Sequence, residues 1–206
     1  MQIVVAAPDE QWEELVKNRP QVEWKRVYSG NEFINNKTAD AYFDLAGNSI
    51  LQQYASLGKP VIIDSVVETL KELNAPQNML RINGWPGFLQ RSHWEIAGFC
   101  SEQVKSVFEN LEIRLHVVAD EPGFIAARII AMIVNEAYLA LEDEVSGKSE
   151  IDTAMKLGTN YPFGPFEWSV ALGIENISAL LEKLNKEDNR YKPADLLMKE
   201  VNKKTT

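Results

Sequence analysis

Apolar positions in the first half of the chain fall in short runs separated by polar stretches of helical spacing. Ile3–Ala7 is a compact apolar run, and Pro8–Asn18 then opens on a proline and carries Trp12, Leu15 and Val16 on one helical face. Val22–Val27 alternates as a strand does. Ala41–Ala46 and Val61–Val66 read as further strands, with Asn48–Leu57 between them as a helix closed by Gly58. Glu68–Leu73 reads as a short helix. Met79–Asn83 and Arg91–Ile96 read as strands on either side of a Gly84-Trp85-Pro86-Gly87 turn, Ser101–Asn110 as a helix capped by Ser101, and Arg114–Val118 as a strand. Strands interleaved with helices in this way predict a mostly parallel, doubly wound α/β sheet.

After Asp120 the strand pattern stops. From Asp120 to about Glu144 the residues are apolar nearly all round, as in a helix buried in a core or an interface. Asp120 reads as its N-cap and Pro122 as part of its first turn, where a missing N–H costs little. Gly123, Ala127 and Ala131 make a narrow stripe for close packing, while Arg128, Asn135 and Glu136 are polar exceptions that need partners if buried. Ser149-Glu150-Ile151-Asp152 starts a helix ending at Gly158, and Tyr161-Pro162-Phe163-Gly164-Pro165-Phe166 is a rigid turn into another, stopped by Gly173. Asn176–Asn185 and Pro193–Val201 complete a helical half, followed by a polar, fraying tail, Asn202–Thr206. The expected organisation is an α/β domain over 1–119 and an all-α domain over 120–206.

Composition narrows the function classes. A net charge of −9 argues against a general nucleic-acid binder. Ile3–Ala7 is too short for a secretion signal and lacks a basic flank, and no apolar run has the length of a membrane span, so a cytoplasmic protein is expected. The single Cys100 excludes an intramolecular disulfide and a cysteine-rich zinc site; it reads as a small, partly buried filler, and no metal site is expected. His116 reads as structural, and Trp85, in its Pro/Gly turn, is the one tryptophan placed for contact with a flat ligand.

Several motifs in the second half form an ordered set. They are Asp120-x-Pro122-Gly123-Phe124-Ile125-x-x-Arg128, Asn135-Glu136-Ala137, Ile151-Asp152-x-Ala154-Met155 with Gly158, Pro162-x-Gly164-Pro165-Phe166 with Gly173, and Tyr191-x-Pro193 with Leu196-Leu197. This half resembles the C-terminal domain of the 3-hydroxyacyl-CoA dehydrogenases, a helical domain of the type found at the C-terminus of 6-phosphogluconate dehydrogenase. The resemblance implies a Rossmann-like first half that binds NAD. It also implies a second half that forms a homodimer and helps cover an acyl-CoA, with Pro122, Gly123, Phe124, Ala127 and Arg128 on the helix near the substrate.

Against that pattern the first half departs at the chemistry. The first strand runs into Ala6-Ala7-Pro8-Asp9-Glu10-Gln11 with no glycine before Gly30, so the backbone approach of a pyrophosphate is lost and two acids stand in its place. Val27-Tyr28-Ser29 offers no acid for a ribose, although Glu32 is near. Leu80–Pro86, where the family carries its general acid/base His, contains none; Asn83 stands there and cannot take a proton at neutral pH. Glu95 matches the family's orienting Glu, and Ala127 replaces its Asn. The expectation is therefore a reduced, degenerate family member without NAD-dependent turnover. Two alternatives remain, an active oxidoreductase with an altered cofactor site or a relocated His93–Glu95 pair, and a dimeric interaction module.

Overall fold

The computed structural model describes residues 1–48 and 50–204, and the chain divides after Phe124 into two compact units. In the first unit the apolar runs become strands β1 (Gln2–Ala6), β2 (Glu23–Val27), β3 (Ala41–Asp44), β4 (Val61–Asp64), β5 (Met79–Ile82), β6 (His93–Gly98) and β7 (Arg114–Val117). They form one sheet in the order β2-β1-β3-β4-β5-β6-β7. β1 to β5 are mutually parallel; β6 pairs with β5 antiparallel and β7 follows β6 in parallel. The doubly wound expectation holds, with a reversed pair of strands at one edge.

Alternation along the strands sends side chains to two cores. Ile3, Val5, Phe43, Ile62, Leu80, Ile82 and Ile96 meet α1 (Asp9–Val16) and α3 (Glu102–Asn110) on one face. Val4, Ala6, Tyr42, Val61, Ile63 and Met79 meet α2 (Gly30–Asn35) and a 3-10 helix (Leu51–Leu57) on the other. Ser101 caps α3 by accepting from the Val104 N–H, as its position suggests. Glu68–Leu73 is not a helix. Thr69 and Glu72 close a local turn, and the Leu70 and Lys71 N–H groups are both taken by the Asp120 carboxylate.

That last contact corrects the reading of Asp120. It does not cap the long helix. The first unit ends in a turn where Gly123 has φ +83° and Phe124 φ +50°, and the Gly123 N–H donates to Val66 O at 2.7 Å. α4 begins only at Ala126 and runs to Glu142. Pro122 and Gly123 therefore belong to this turn, and the close-packing stripe of the helix starts at Ala127 and Ala131, both fully buried.

The second unit gathers α5 (Lys148–Thr159), α6 (Pro165–Ala171), α7 (Ile174–Asn185) and α8 (Asp195–Lys204) with α4, which packs against α6, α7 and α8. The polar exceptions on α4 separate cleanly: Glu136 is exposed, Arg128 half-buried and Asn135 buried. Asn135 donates to Lys192 O at 2.9 Å and accepts from the Ala194 N–H at 2.8 Å, fastening the Tyr191-x-Pro193 segment to α4. Asp152 on α5 accepts the Phe166 N–H at 2.8 Å and so caps α6, whose first turn also holds Pro165. A Cβ on Gly164 would overlap that Asp152 carboxyl. Glu167 returns to the Gly164 N–H at 2.9 Å and pairs with Lys156. Asn202, assigned to the tail, lies in α8; Thr205 and Thr206 lie outside the described residues.

Candidate functional site

In a parallel sheet the ligand crevice opens at the carboxyl ends of the strands, where the strand order reverses. Here β2 lies to one side of β1 and β3 to the other, so the reversal falls between β1 and β3. The groups at that end are the β1–α1 junction, Asp44 after β3, Asp64 after β4, and Asn83-Gly84 after β5.

The β1–α1 junction is Pro8 followed by a first turn holding Asp9 and Glu10, and no side chain caps the helix. Asp9 is tied to Arg26 at 2.5 Å, and Arg26 also donates to Ala7 O at 2.9 Å. Gln11, in the same turn, reaches across the carboxyl edge of the sheet. Its Nε2 donates to Asp64 Oδ2 at 2.8 Å and to Gly84 O at 2.8 Å, while the Gly84 N–H donates to Asp64 Oδ1 at 2.9 Å. Burial pushes the Asp64 carboxyl above the usual range, and its two hydrogen bonds offset this only in part. Gly84 has no room for a Cβ, which would meet the Asp64 carboxyl carbon at 2.5 Å. One turn along α1, Glu14 accepts from the Gly87 N–H at 2.6 Å and the Leu89 N–H at 3.2 Å, so the helix grips the loop after β5 along two turns.

Asp44 is buried and serves its own loop. It accepts from the Ala46 and Asn48 N–H groups, from Asn48 Nδ2 and from the Tyr54 hydroxyl at 2.6 Å. Burial, first, and then the Asp44 carboxylate push the Tyr54 hydroxyl well above its ordinary value. Arg81 on β5, in register with Ile63 and through it with Asp44, is fully buried on the same face of the sheet as Asp44. It donates to Asp120 at 2.5 Å, Ser65 O at 3.0 Å and Glu121 O at 2.5 Å, with its guanidinium 4.3 Å from the Phe124 ring centre.

The residues singled out from sequence are distributed as follows. His93 and Glu95 share one face of β6, as their spacing requires, but His93 is exposed and its ring contacts Ser92 Oγ at 3.1 Å. Across the β6–β7 ladder His93 lies beside Arg114, and Glu95 beside His116. His116 is exposed on the edge strand rather than structural. Asn83 directly follows the last residue of β5, whose final pair with β6 is Ile82↔Ile96. Asn83 is buried, accepts from the Trp85 N–H at 3.1 Å, and keeps its Nδ2 buried without a hydrogen-bond partner among the described residues. Trp85 is buried too, which removes it as a ligand platform; Cys100 is half-buried against the core, as expected. Phe124 lies under Arg81, while Ala127 and Arg128 belong to the second unit. No group of three or more His, Cys, Asp or Glu among the described residues is arranged to hold a metal ion.

Gln11, Asp64 and Arg81 were not singled out from sequence. A lone Arg inside the apolar run Met79–Ile82 and an acid ending the run Val61–Asp64 were readable signals. Gln11 carried none.

A mostly parallel sheet with its crevice at a strand-order reversal, followed by a separate helical unit, defines a Rossmann-like sheet joined to an all-α unit. The second half matches the family model for the 3-hydroxyacyl-CoA dehydrogenase C-terminal domain over residues 123–206. It is 48% identical over 82 residues to a 3-hydroxyadipyl-CoA dehydrogenase of Escherichia coli, covering 39% of this chain and 17% of that protein. To a 3-hydroxybutyryl-CoA dehydrogenase of Clostridioides difficile it is 40% identical over 86 residues, covering 41% of this chain and 31% of the relative. The match thus spans under a third of either relative. A crystal structure of the (S)-3-hydroxybutyryl-CoA dehydrogenase of Ralstonia eutropha superposes with a TM-score of 0.76 at 19% identity, covering 97% of this chain and 93% of that one, a likeness of fold. Residues 123–206 are thus similar to the C-terminal domain of the 3-hydroxyacyl-CoA dehydrogenases, and the first half shares with them the fold alone.

Proposed function

We propose that this chain is a 3-hydroxyacyl-CoA dehydrogenase-like protein of acyl-CoA metabolism that has given up NAD-dependent hydride transfer. In this reading it is a cytoplasmic homodimer whose role is binding or assembly. The observation that carries the proposal is the Gln11–Asp64–Gly84 bridge. A dinucleotide needs free backbone N–H groups at the first helix and open space beside them for its pyrophosphate. Here Pro8 supplies no N–H, Asp9 and Glu10 oppose a diphosphate, and Gln11 spans the gap to β4 and β5. The residues present do not fit NAD.

The same conclusion follows on the proton-transfer side. A general base must reach the hydroxyl proton it removes. At the end of β5 stands Asn83, which has no titrating nitrogen, and His93 is exposed beside Ser92. Apolar side chains exposed on the helical unit, Ile129, Leu139 and Val170, support the dimer part of the proposal, since a C2 pair would bury such a surface.

Calorimetric titration with NADH, alongside an assay with acetoacetyl-CoA and NADH, tests the reading. No binding heat and no turnover are expected. Micromolar NADH binding with turnover abolished by His93→Ala would replace it with the active oxidoreductase. Light scattering after size exclusion checks the dimer, and a monomer at high concentration would remove that part.

A further inference from the structure

The amino-terminal ends of β4 and β5 frame a second concave site, at the opposite end of these strands from the crevice. It is a cavity of about 440 Å³, within the range that holds a small molecule. Three devices build it. Gly58, at φ +59°, ends the 3-10 helix and sends Lys59-Pro60 into β4. Asn78 donates to Tyr54 O at 2.9 Å and Lys59 O at 2.8 Å, fixing that connection. Gly98, at φ +123°, lets β6 approach β5 so closely that a Cβ would meet Met79 O at 2.9 Å, and the next residue, Phe99, is turned outward with 64% of its surface exposed.

The lining has a specific chemistry. Phe99, Pro60 and Pro76 offer flat apolar walls. Among the described residues Lys59 is the only charged one lining the cavity, and it makes no ion pair with any of them. Gln77 and Gln103, both exposed, add amide groups with no other hydrogen-bond partner among the described residues. An exposed aromatic ring beside two proline walls suits a flat ring. A single ammonium flanked by amide donors suits one carboxylate and falls short of a diphosphate or other polyanion. On a chain of net charge −9, an unpaired lysine in a concavity is a local exception that draws an anion to this place.

We propose that this cavity binds small aromatic monocarboxylates, the carboxylate on Lys59 and the ring against Phe99. The proposal does not rest on the reading of the nucleotide crevice. Its test is a titration of the full chain with benzoate, followed by amide NMR shifts, repeated with neutral benzamide and with the variants Lys59→Gln and Phe99→Ala. Both side chains are at least partly exposed, so the variants should fold, and their unperturbed spectra would verify it. Shifts centred on residues 58–60, 76–78 and 99–103 are expected with benzoate. Lys59→Gln should weaken binding about tenfold or more, the loss of one charge-assisted hydrogen bond. Benzamide should bind as weakly as benzoate does to Lys59→Gln, and Phe99→Ala should also reduce affinity. Absence of shifts at millimolar benzoate, equal binding of benzamide, indifference to Lys59→Gln, or shifts centred on the crevice around Asp64 would each overturn it.

Discussion

Removing the Asp120 carboxylate should expose how much of the first unit depends on one buried cation. Arg81 has no solvent-exposed surface, and the Asp120 side chain is 29% exposed. Burial pulls the guanidinium below its ordinary value even though Asp120, Glu121 and Glu72 act to raise it. Breaking a buried ion pair from one side leaves the other charge uncompensated and costs about 3–5 kcal/mol. Because water reaches Asp120 in part, the lower end, about 3 kcal/mol, is the better figure for Asp120→Ala. The same substitution strips the Leu70 and Lys71 N–H groups of their acceptor, which keeps the loss from falling much below that. With a urea slope of about 2 kcal/mol per molar, the midpoint should drop by roughly 1.5 M. Tryptophan emission is a suitable probe, since Trp12, Trp24, Trp85 and Trp94 all lie in this unit. The double variant Arg81→Met/Asp120→Ala removes the stranded charge and should lose less than Asp120→Ala alone. A single-variant shift under about 0.5 M, or a double variant at least as damaged as the single one, would refute the stranded-cation argument.

Other substitutions probe the helical unit and the crevice. Asn135→Ala leaves Lys192 O and the buried Ala194 N–H without partners and should cost about 2–4 kcal/mol, read from thermal or urea midpoints; a change below about 1 kcal/mol would mean that water replaces the amide. Gly164→Ala drives a methyl into Asp152 and should destabilise by several kcal/mol, whereas Asp152→Ala, which only removes the cap, should cost about 1–2 kcal/mol; the reverse order of the two midpoints would contradict the packing. Asp64 titrates above its ordinary range, so its folded form holds the proton more tightly than the unfolded chain. Its contribution to stability is then complete below the ordinary carboxylate range and is lost as pH rises from there through the raised folded value. The stability of the wild type relative to Asp64→Asn should therefore increase as pH falls from neutral into the carboxylate range. A difference that stays flat or shrinks would show Asp64 to be solvated.

What the sequence revealed and what it hid follow from the range of the interactions. The strands were readable because each is a short apolar run whose burial depends on its own residues, and the order of strands and helices then fixed the class of sheet. The family motifs of the second half were readable for a related reason. Asp152, Gly164 and Pro165 act on one helix start, and Asn135 acts on one backbone segment, so each motif is a compact physical device. Asp120 misled because local rules favour an acid before Pro122 as a helix cap, while the acid is held by Arg81, 39 positions away in the chain. With Asp120 and the Glu121 carbonyl so held, the chain makes a turn through Gly123 and Phe124 before any helix can start. The same carboxylate takes two N–H groups of Glu68–Leu73, a segment that forms turns in place of the expected helix.

The crevice divides along this line too. The missing glycines and the acids after β1 are local facts and were legible, but they say only that a pyrophosphate is unwelcome. That the space is bridged depends on Gln11 meeting Asp64 and Gly84, residues 53 and 73 positions away, and nothing in Gln11's own neighbourhood marks it. The bridge also gives the departures a common physical sense. Once the site no longer needs open backbone donors, a side-chain amide can join α1 to β4 and to the loop after β5. Glu14 extends the same join by a further turn. Under the proposed function, loss of the cofactor chemistry and gain of a closed carboxyl edge are one change. Gln11→Ala separates them: if the crevice is closed by this bridge, the variant should lose stability without gaining NADH affinity, because Pro8, Asp9 and Glu10 remain. NADH binding recovered by that single substitution would show that the bridge alone stood in the way.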